Sequence, residues 1–145
     1  MTAGLLRRLG ALTYDALLLT AVLMAVTALF LPLTGGAAVT GRNHPLLEWL
    51  YRGVLAAATV AYFGAFWTRR GQTLGMTAWR LRVEREDGGL LTWGDTLRRL
   101  AAAVLSLVPA GLGWWWILVD PGRRAWHDRL SRTRVILLPR AGRAA

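Results

Sequence analysis

The 145-residue chain has no cysteine and no lysine, and it has only eight acids and two histidines. Without cysteine there is no disulfide and no thiolate nucleophile, and the redox compartment stays open. His44 and His127 each stand apart from any second group at metal-ligand spacing, so no metal is expected. There is no phosphate-cradling loop and no dinucleotide fingerprint. The His127–Asp128 pair lacks a placed serine or cysteine and is weak evidence for a hydrolase. These absences point away from an enzyme and away from a bound cofactor. All 18 basic side chains are arginines, and the net charge is +10. Such an excess can serve nucleic acid, but no recognition-fold pattern accompanies it. The arginines flank apolar runs instead, which suits an anionic lipid leaflet, so lipid and not nucleic acid is the expected partner.

What the chain does have is apolar length. Between Leu9 and Leu31 the only ionisable groups are Tyr14 and Asp15. The pattern predicts a transmembrane helix over about 9–32. The run exceeds a signal-peptide core and carries an acid, so an uncleaved helix is expected. At ~1.5 Å per residue, Asp15 lies roughly 9 Å inside that helix. A carboxylate near mid-membrane costs ~2.5–3.5 kcal/mol on insertion scales, and somewhat less near the interface. Arg8 is two turns earlier on nearly the same face, so an Arg8–Asp15 pair is expected, with Arg98 or Arg99 as other partners for the acid.

A loop with one arginine, Arg42, leads to a second expected span over about 46–67. Aromatic residues mark both of its ends. Gly53, Ala57, Ala61 and Ala65 recur every four residues along it, a smooth stripe for packing against the first span or against another copy. A polar, basic connection follows. Within it Gln72–Arg80 reads as a short helix lying on the membrane with Leu74 and Trp79 dipping inward. Arg80–Arg85 alternates as a strand, Asp87-Gly88-Gly89 turns the chain, and Thr92 with Asp95 reads as a capping box.

The third apolar segment, about 97–119, is interrupted by Pro109, Gly111 and Gly113. Seven arginines precede or open it from Thr68 on, and seven follow Asp120 (among them Arg140 and Arg143). The positive-inside rule puts the N-terminus, the connection and the basic tail 120–145 on the cytoplasmic side. A segment that breaks and returns to its own side satisfies that count; a full crossing does not. Thr133–Leu138 is a second strand-like run, able to pair with the first only from the same side. The fold class is thus an all-α, multi-pass inner-membrane protein. It has two spans, a broken re-entrant segment and a short two-stranded cytoplasmic β pairing, in one domain over 1–145.

Three blocks occur in order: RLGALTYD at Arg8–Asp15, GQTLGMTAWRLRV at Gly71–Val83 and DPGRRAWHDRLSRTRVI at Asp120–Ile136. Together they resemble the RDD (Arg-Asp-Asp) family of small integral membrane proteins over nearly the whole chain. The resemblance implies that Arg8 and Asp15 are the signature arginine and first aspartate, and that Asp128 is the second. Met76, Trp79 and Ser131-Arg132-Thr133 depart from the family pattern. Some family members are linked to monovalent cation/proton exchange, so the resemblance implies transport.

Two readings of the chemistry follow. Asp15 is either a titrating carboxylate, with Arg8 setting its pKa, or half of a static pair that locks the bundle. Asp120, His127, Arg98 and Arg99 form a second tier of polar candidates. His127 is able to titrate near neutrality, whereas the blander reading of Trp126-His127-Asp128 is a turn whose aspartate caps a helix or binds an arginine. The function expected is a small exchanger working as a homo-oligomer, or a non-catalytic scaffold that assembles with a membrane-protein partner or lipid.

Overall fold

The computed structural model describes residues 3–40, 45–109 and 111–139. Arg42, Arg140 and Arg143, which entered the charge reading above, and His44, which entered the metal-ligand reading, lie outside the described residues. Helix α1 runs Leu5–Phe30 and tightens into a 3₁₀ turn at Leu31–Thr34. It begins at Leu5, four residues before the expected span, because nothing between Gly4 and Leu9 breaks a helix and both arginines favour one. Pro32 falls in the 3₁₀ turn, and Gly35 ends it in the left-handed region at φ 62°, where glycine carries no Cβ penalty.

Helix α2, Pro45–Arg69, opens with proline in its first turn, where the missing N–H is not needed. It crosses α1 at two places. Near its start the Tyr51 ring meets Phe30 edge-on at 5.2 Å and its hydroxyl shares a hydrogen bond with Thr27 at 2.9 Å. Near its end Tyr62 donates to Asp15 at 3.1 Å. These aromatic contacts, and not the small-residue stripe, join α2 to α1. Gly53, Ala57 and Ala61 face outward and are exposed, Ala65 is half-buried, and a Cβ added at Gly53 would meet nothing within 4 Å.

The short helix α3, Leu74–Ala78, is capped by Thr73, whose hydroxyl accepts from Met76 N at 3.2 Å. It packs on α1, but not through Leu74, which is half exposed. Gly75 makes the contact: a Cβ there would lie 2.3 Å from the Ala11 carbonyl oxygen. Trp79 covers Gly10 in the same way.

Strand β1, Leu81–Arg85, pairs antiparallel with β2, Thr133–Leu137, with Val83 opposite Val135. Leu81, Val83 and Val135 point into the core beside Ala3, Ala11, Trp67, Met76 and Leu91. A lone two-stranded pair is marginal; here it rests on this cluster, and Ala3 N extends it by donating to Val135 O at 3.2 Å.

The capping box forms as expected. Asp95 N donates to Thr92 Oγ1 at 3.2 Å and Thr92 N donates to Asp95 Oδ2 at 3.0 Å, opening α4, Trp93–Leu107. The third segment breaks after Leu107. The chain turns by 108° and resumes as α5, Leu112–Trp115, with a 3₁₀ turn at Trp116–Leu118. Gly111, at φ 75°, makes that corner. The described part of the basic tail, up to residue 139, folds back as α6, Trp126–Leu130, and β2. Arg134 pairs with Glu84 at 2.7 Å, Arg124 with Glu86 at 2.8 Å, and Arg129 with Asp120. The residues near the N-terminus, the connection and the tail therefore meet at one end of the molecule.

Among the described residues one helix, Leu5–Thr34, is long and apolar enough to cross a membrane; the bent α4–α5 pair qualifies only if it counts as one span. Helix α2 has the length but, with Glu48 and Arg52 near its start, not the hydropathy.

Candidate functional site

Helix α1 carries two buried polar side chains two turns apart, and they go to different partners. Arg8 does not reach Asp15. Its Nη1 donates to Asp128 Oδ2, its Nε to Ala3 O at 3.2 Å and its Nη2 to Arg123 O at 2.9 Å. The expected Arg8–Asp15 pair is thus replaced by one that joins the start of α1 to α6, because α6 and β2 fold onto the N-terminal turn of α1 and present a fully buried carboxylate there. Asp128 also accepts from Ala125 N at 3.1 Å, capping α6. As in the blander reading of the Trp126-His127-Asp128 turn, the aspartate both caps a helix and binds arginine.

Arg99, from α4, completes this cluster. Its Nη1 lies 2.7 Å from Asp128 Oδ1, a close ion-pair contact off the hydrogen-bond direction. The same nitrogen donates to Thr133 Oγ1, and the guanidinium sits 5.3 Å over the Trp67 ring. Two guanidiniums thus face one carboxylate. Burial pushes the Asp128 carboxyl up, but Arg99 and then Arg8 outweigh it and hold it well below the usual carboxylate range. His127 sits 3.6 Å from the same carboxylate, with its ring 4.7 Å from that of Trp114. Contrary to the expectation of titration near neutrality, burial and then the Arg99 charge lower its pKa to about 3. His127 is neutral at any physiological pH.

Asp15 has neutral partners. It accepts from Thr73 Oγ1, from Gly75 N at 2.9 Å and from Tyr62 at 3.1 Å. Among the described residues no ion pair involves it. Thr73 is wholly buried, and Gly75 brings the α3 backbone close enough to donate. Of the second-tier residues, Asp120 is buried and holds Arg129 and the Arg124 N–H. Arg98 points outward toward Asp95 at 4.0 Å and belongs to neither cluster.

Sequence reasoning missed Thr73, Gly75 and Tyr62 around Asp15, and Thr133 and Trp67 around Arg99. A usable signal was present for Thr73, a helix-capping threonine just before Leu-Gly-Met. Nothing local marked Tyr62, whose role depends on how α2 crosses α1.

A cavity of about 80 Å³ lies between the two clusters, with Arg8, Asp15, Arg99 and His127 among its walls. A larger apolar groove of about 810 Å³ opens beside it between α1, α2, α4 and α5.

The outer surface sets the class of protein. Leu17, Met24 and Leu29 on α1 are 68%, 67% and 75% exposed, and an uninterrupted apolar helix face of this extent is unsuited to water. This is a small helical membrane protein with its buried polar groups gathered at one end. The chain belongs to the RDD family, which matches residues 2–132. No curated protein and no solved structure matches it.

Proposed function

We propose that this RDD protein is a non-enzymatic accessory protein of the inner membrane, a compact scaffold that engages anionic lipid and a membrane-protein partner or a second copy of itself. Helices α1 and α2 cross the bilayer, and the bent α4–α5 segment returns to the side it left. The observation that carries the reading is the closed Arg8–Asp128–Arg99 cluster. It ties together segments about 120 residues apart in the chain, and its one carboxylate is committed to both guanidiniums. The meeting of the N-terminal residues, the connection and the tail at one end supports an even number of crossings, with that basic end cytoplasmic. The outward Gly53–Ala65 stripe is available for a partner helix.

A second reading, monovalent cation/proton exchange, is favoured by one observation. Asp15 is buried without a cation, and it borders the small cavity with the Thr73 and Tyr62 hydroxyls beside it. Oxygen ligands of that kind suit hard cations. Proteoliposomes separate the two. The scaffold reading expects no flux of sodium, potassium or protons above that of empty vesicles. Flux in the wild type that disappears in a folded Asp15→Asn variant would overturn it in favour of exchange. Because the chain has no cysteine, Thr2→Cys and Ala144→Cys report topology with an impermeant thiol reagent. Labelling of both from the cytoplasmic face is expected.

A further inference from the structure

The apolar groove has walls from Leu9 and Leu12 on α1, Ala56, Val60 and Phe63 on α2, and Leu97 to Leu107 on α4. At one end its character changes. Arg99, His127, Trp67 and Trp114 converge there, and among the described residues no acid lines the groove. Three polar atoms at that end, Trp67 Nε1, Trp114 Nε1 and His127 Nδ1, are buried with no hydrogen-bond partner. Trp67 and His127 are themselves more than nine-tenths buried. Buried polar groups are nearly always paired in native proteins, so two indole N–H donors without partners, both on residues that line one groove, mark a position built for a hydrogen-bond acceptor; neutral His127, with Nε2 toward Asp128, is not a third donor. Arg99 adds charge: it shares one carboxylate with Arg8, which leaves that cluster with one positive charge in excess.

The rest of the groove suits a hydrocarbon chain. From Trp67 to Ala56 it follows α2 for roughly 16 Å at ~1.5 Å per residue, about half of a bilayer's ~30 Å hydrocarbon core. Its mouth is open to the lipid-facing surface, where Leu97, Val104 and Leu107 are exposed. Its volume lies within the ~300–1,000 Å³ of ordinary ligand sites. We propose that this groove is a specific site for one acidic phospholipid drawn from the bilayer, with an acyl chain along α2 and α4 and the anionic head received by Arg99 and the two indole N–H groups. This rests on the membrane reading above and deepens it, from a diffuse attraction of arginines to lipid to a single defined site.

Native mass spectrometry of the full chain, released from nanodiscs holding equal phosphatidylglycerol and phosphatidylcholine of the same acyl chains, tests it. The wild type should retain one phosphatidylglycerol, favoured about tenfold over phosphatidylcholine. Trp67→Phe, which removes one donor and keeps the ring, should lower that preference several-fold without changing phosphatidylcholine retention. Ala56→Phe with Ala103→Phe, which fills the groove, should lower retention of both. Arg98→Gln, which removes a neighbouring exposed charge, should leave retention unchanged. Equal retention of the two lipids, a preference untouched by Trp67→Phe, or loss of preference in Arg98→Gln would each overturn the site. Preferential retention of added oleate over phosphatidylglycerol would overturn the phospholipid as occupant. Failure of the membrane reading shows separately, as protein that stays in solution without detergent or nanodisc.

Discussion

Asp128 and Asp15 are both buried carboxylates, and the protein accommodates them by opposite means. Asp128 is held by charge: two guanidiniums and one backbone N–H surround it, and its pKa is driven down. Asp15 is held by neutral groups, two hydroxyls and one backbone N–H. The first arrangement is stiff and costly to break, because loss of either charge strands the other in a low-dielectric interior. The second is more forgiving, because neutral donors tolerate a neutral acceptor. Their contrast separates a charge lock between distant segments from a local site built of neutral donors.

The sharpest way to break this contrast is to remove both charges isosterically. Asp128→Asn leaves Arg8 and Arg99 without a counter-charge, and a loss of about 3–5 kcal/mol is expected, read as a collapsed thermal midpoint in detergent. A loss equal to that of Asp15→Asn would erase the distinction.

Acid should act on the Asp128 cluster next. Unfolded His127 takes up a proton near pH 6.5, whereas folded His127 resists it down to about 3. Stability contributed by neutral His127 is therefore complete above pH 6.5 and declines as pH falls from there toward 3. The depressed Asp128 adds a further loss below the ordinary carboxylate range, since its contribution is full only above the unfolded pKa of about 3.9. Unfolding midpoints across pH should show both phases, and His127→Gln should remove the upper one.

Gly75→Ala probes the other cluster. The new methyl meets the Ala11 carbonyl at 2.3 Å, so α3 must shift, at about 1–3 kcal/mol, and Asp15 loses alignment with Gly75 N. Asp15→Asn itself should cost only about 1 kcal/mol, since its amide oxygen still accepts and its amide nitrogen can donate to Thr73. Least of all, Arg98→Ala should change the midpoint by less than about 0.5 kcal/mol, as expected for an exposed pair. A larger effect would place Arg98 in a cluster that it does not join here.

Much of this architecture was legible in the chain. The uninterrupted run after Arg8 marks α1, Pro109 and Gly111 mark the break, and Thr92 with Asp95 marks the start of α4. Arg80–Arg85 and Thr133–Leu138 read as strands, and Leu81–Arg85 pairs with Thr133–Leu137. The three family blocks singled out Arg8, Asp15 and Asp128. The pairing among them was misread, because spacing along one helix suggested Arg8 with Asp15, and helical proximity says nothing about a competitor arriving from residue 128. The small-residue stripe allowed two partners, the first span or another copy, and it was the aromatic side chains of Tyr51 and Tyr62, not the stripe, that met α1.

By itself the sequence determined which side chains must be sheltered and where the chain bends, since apolar length, helix caps and breakers act within a few residues. Only the tertiary structure decided which sheltered groups meet. Charge and hydrogen-bond partners are selected by the distance between segments far apart in the chain, and that distance comes into being when α6 and β2 close over the start of α1.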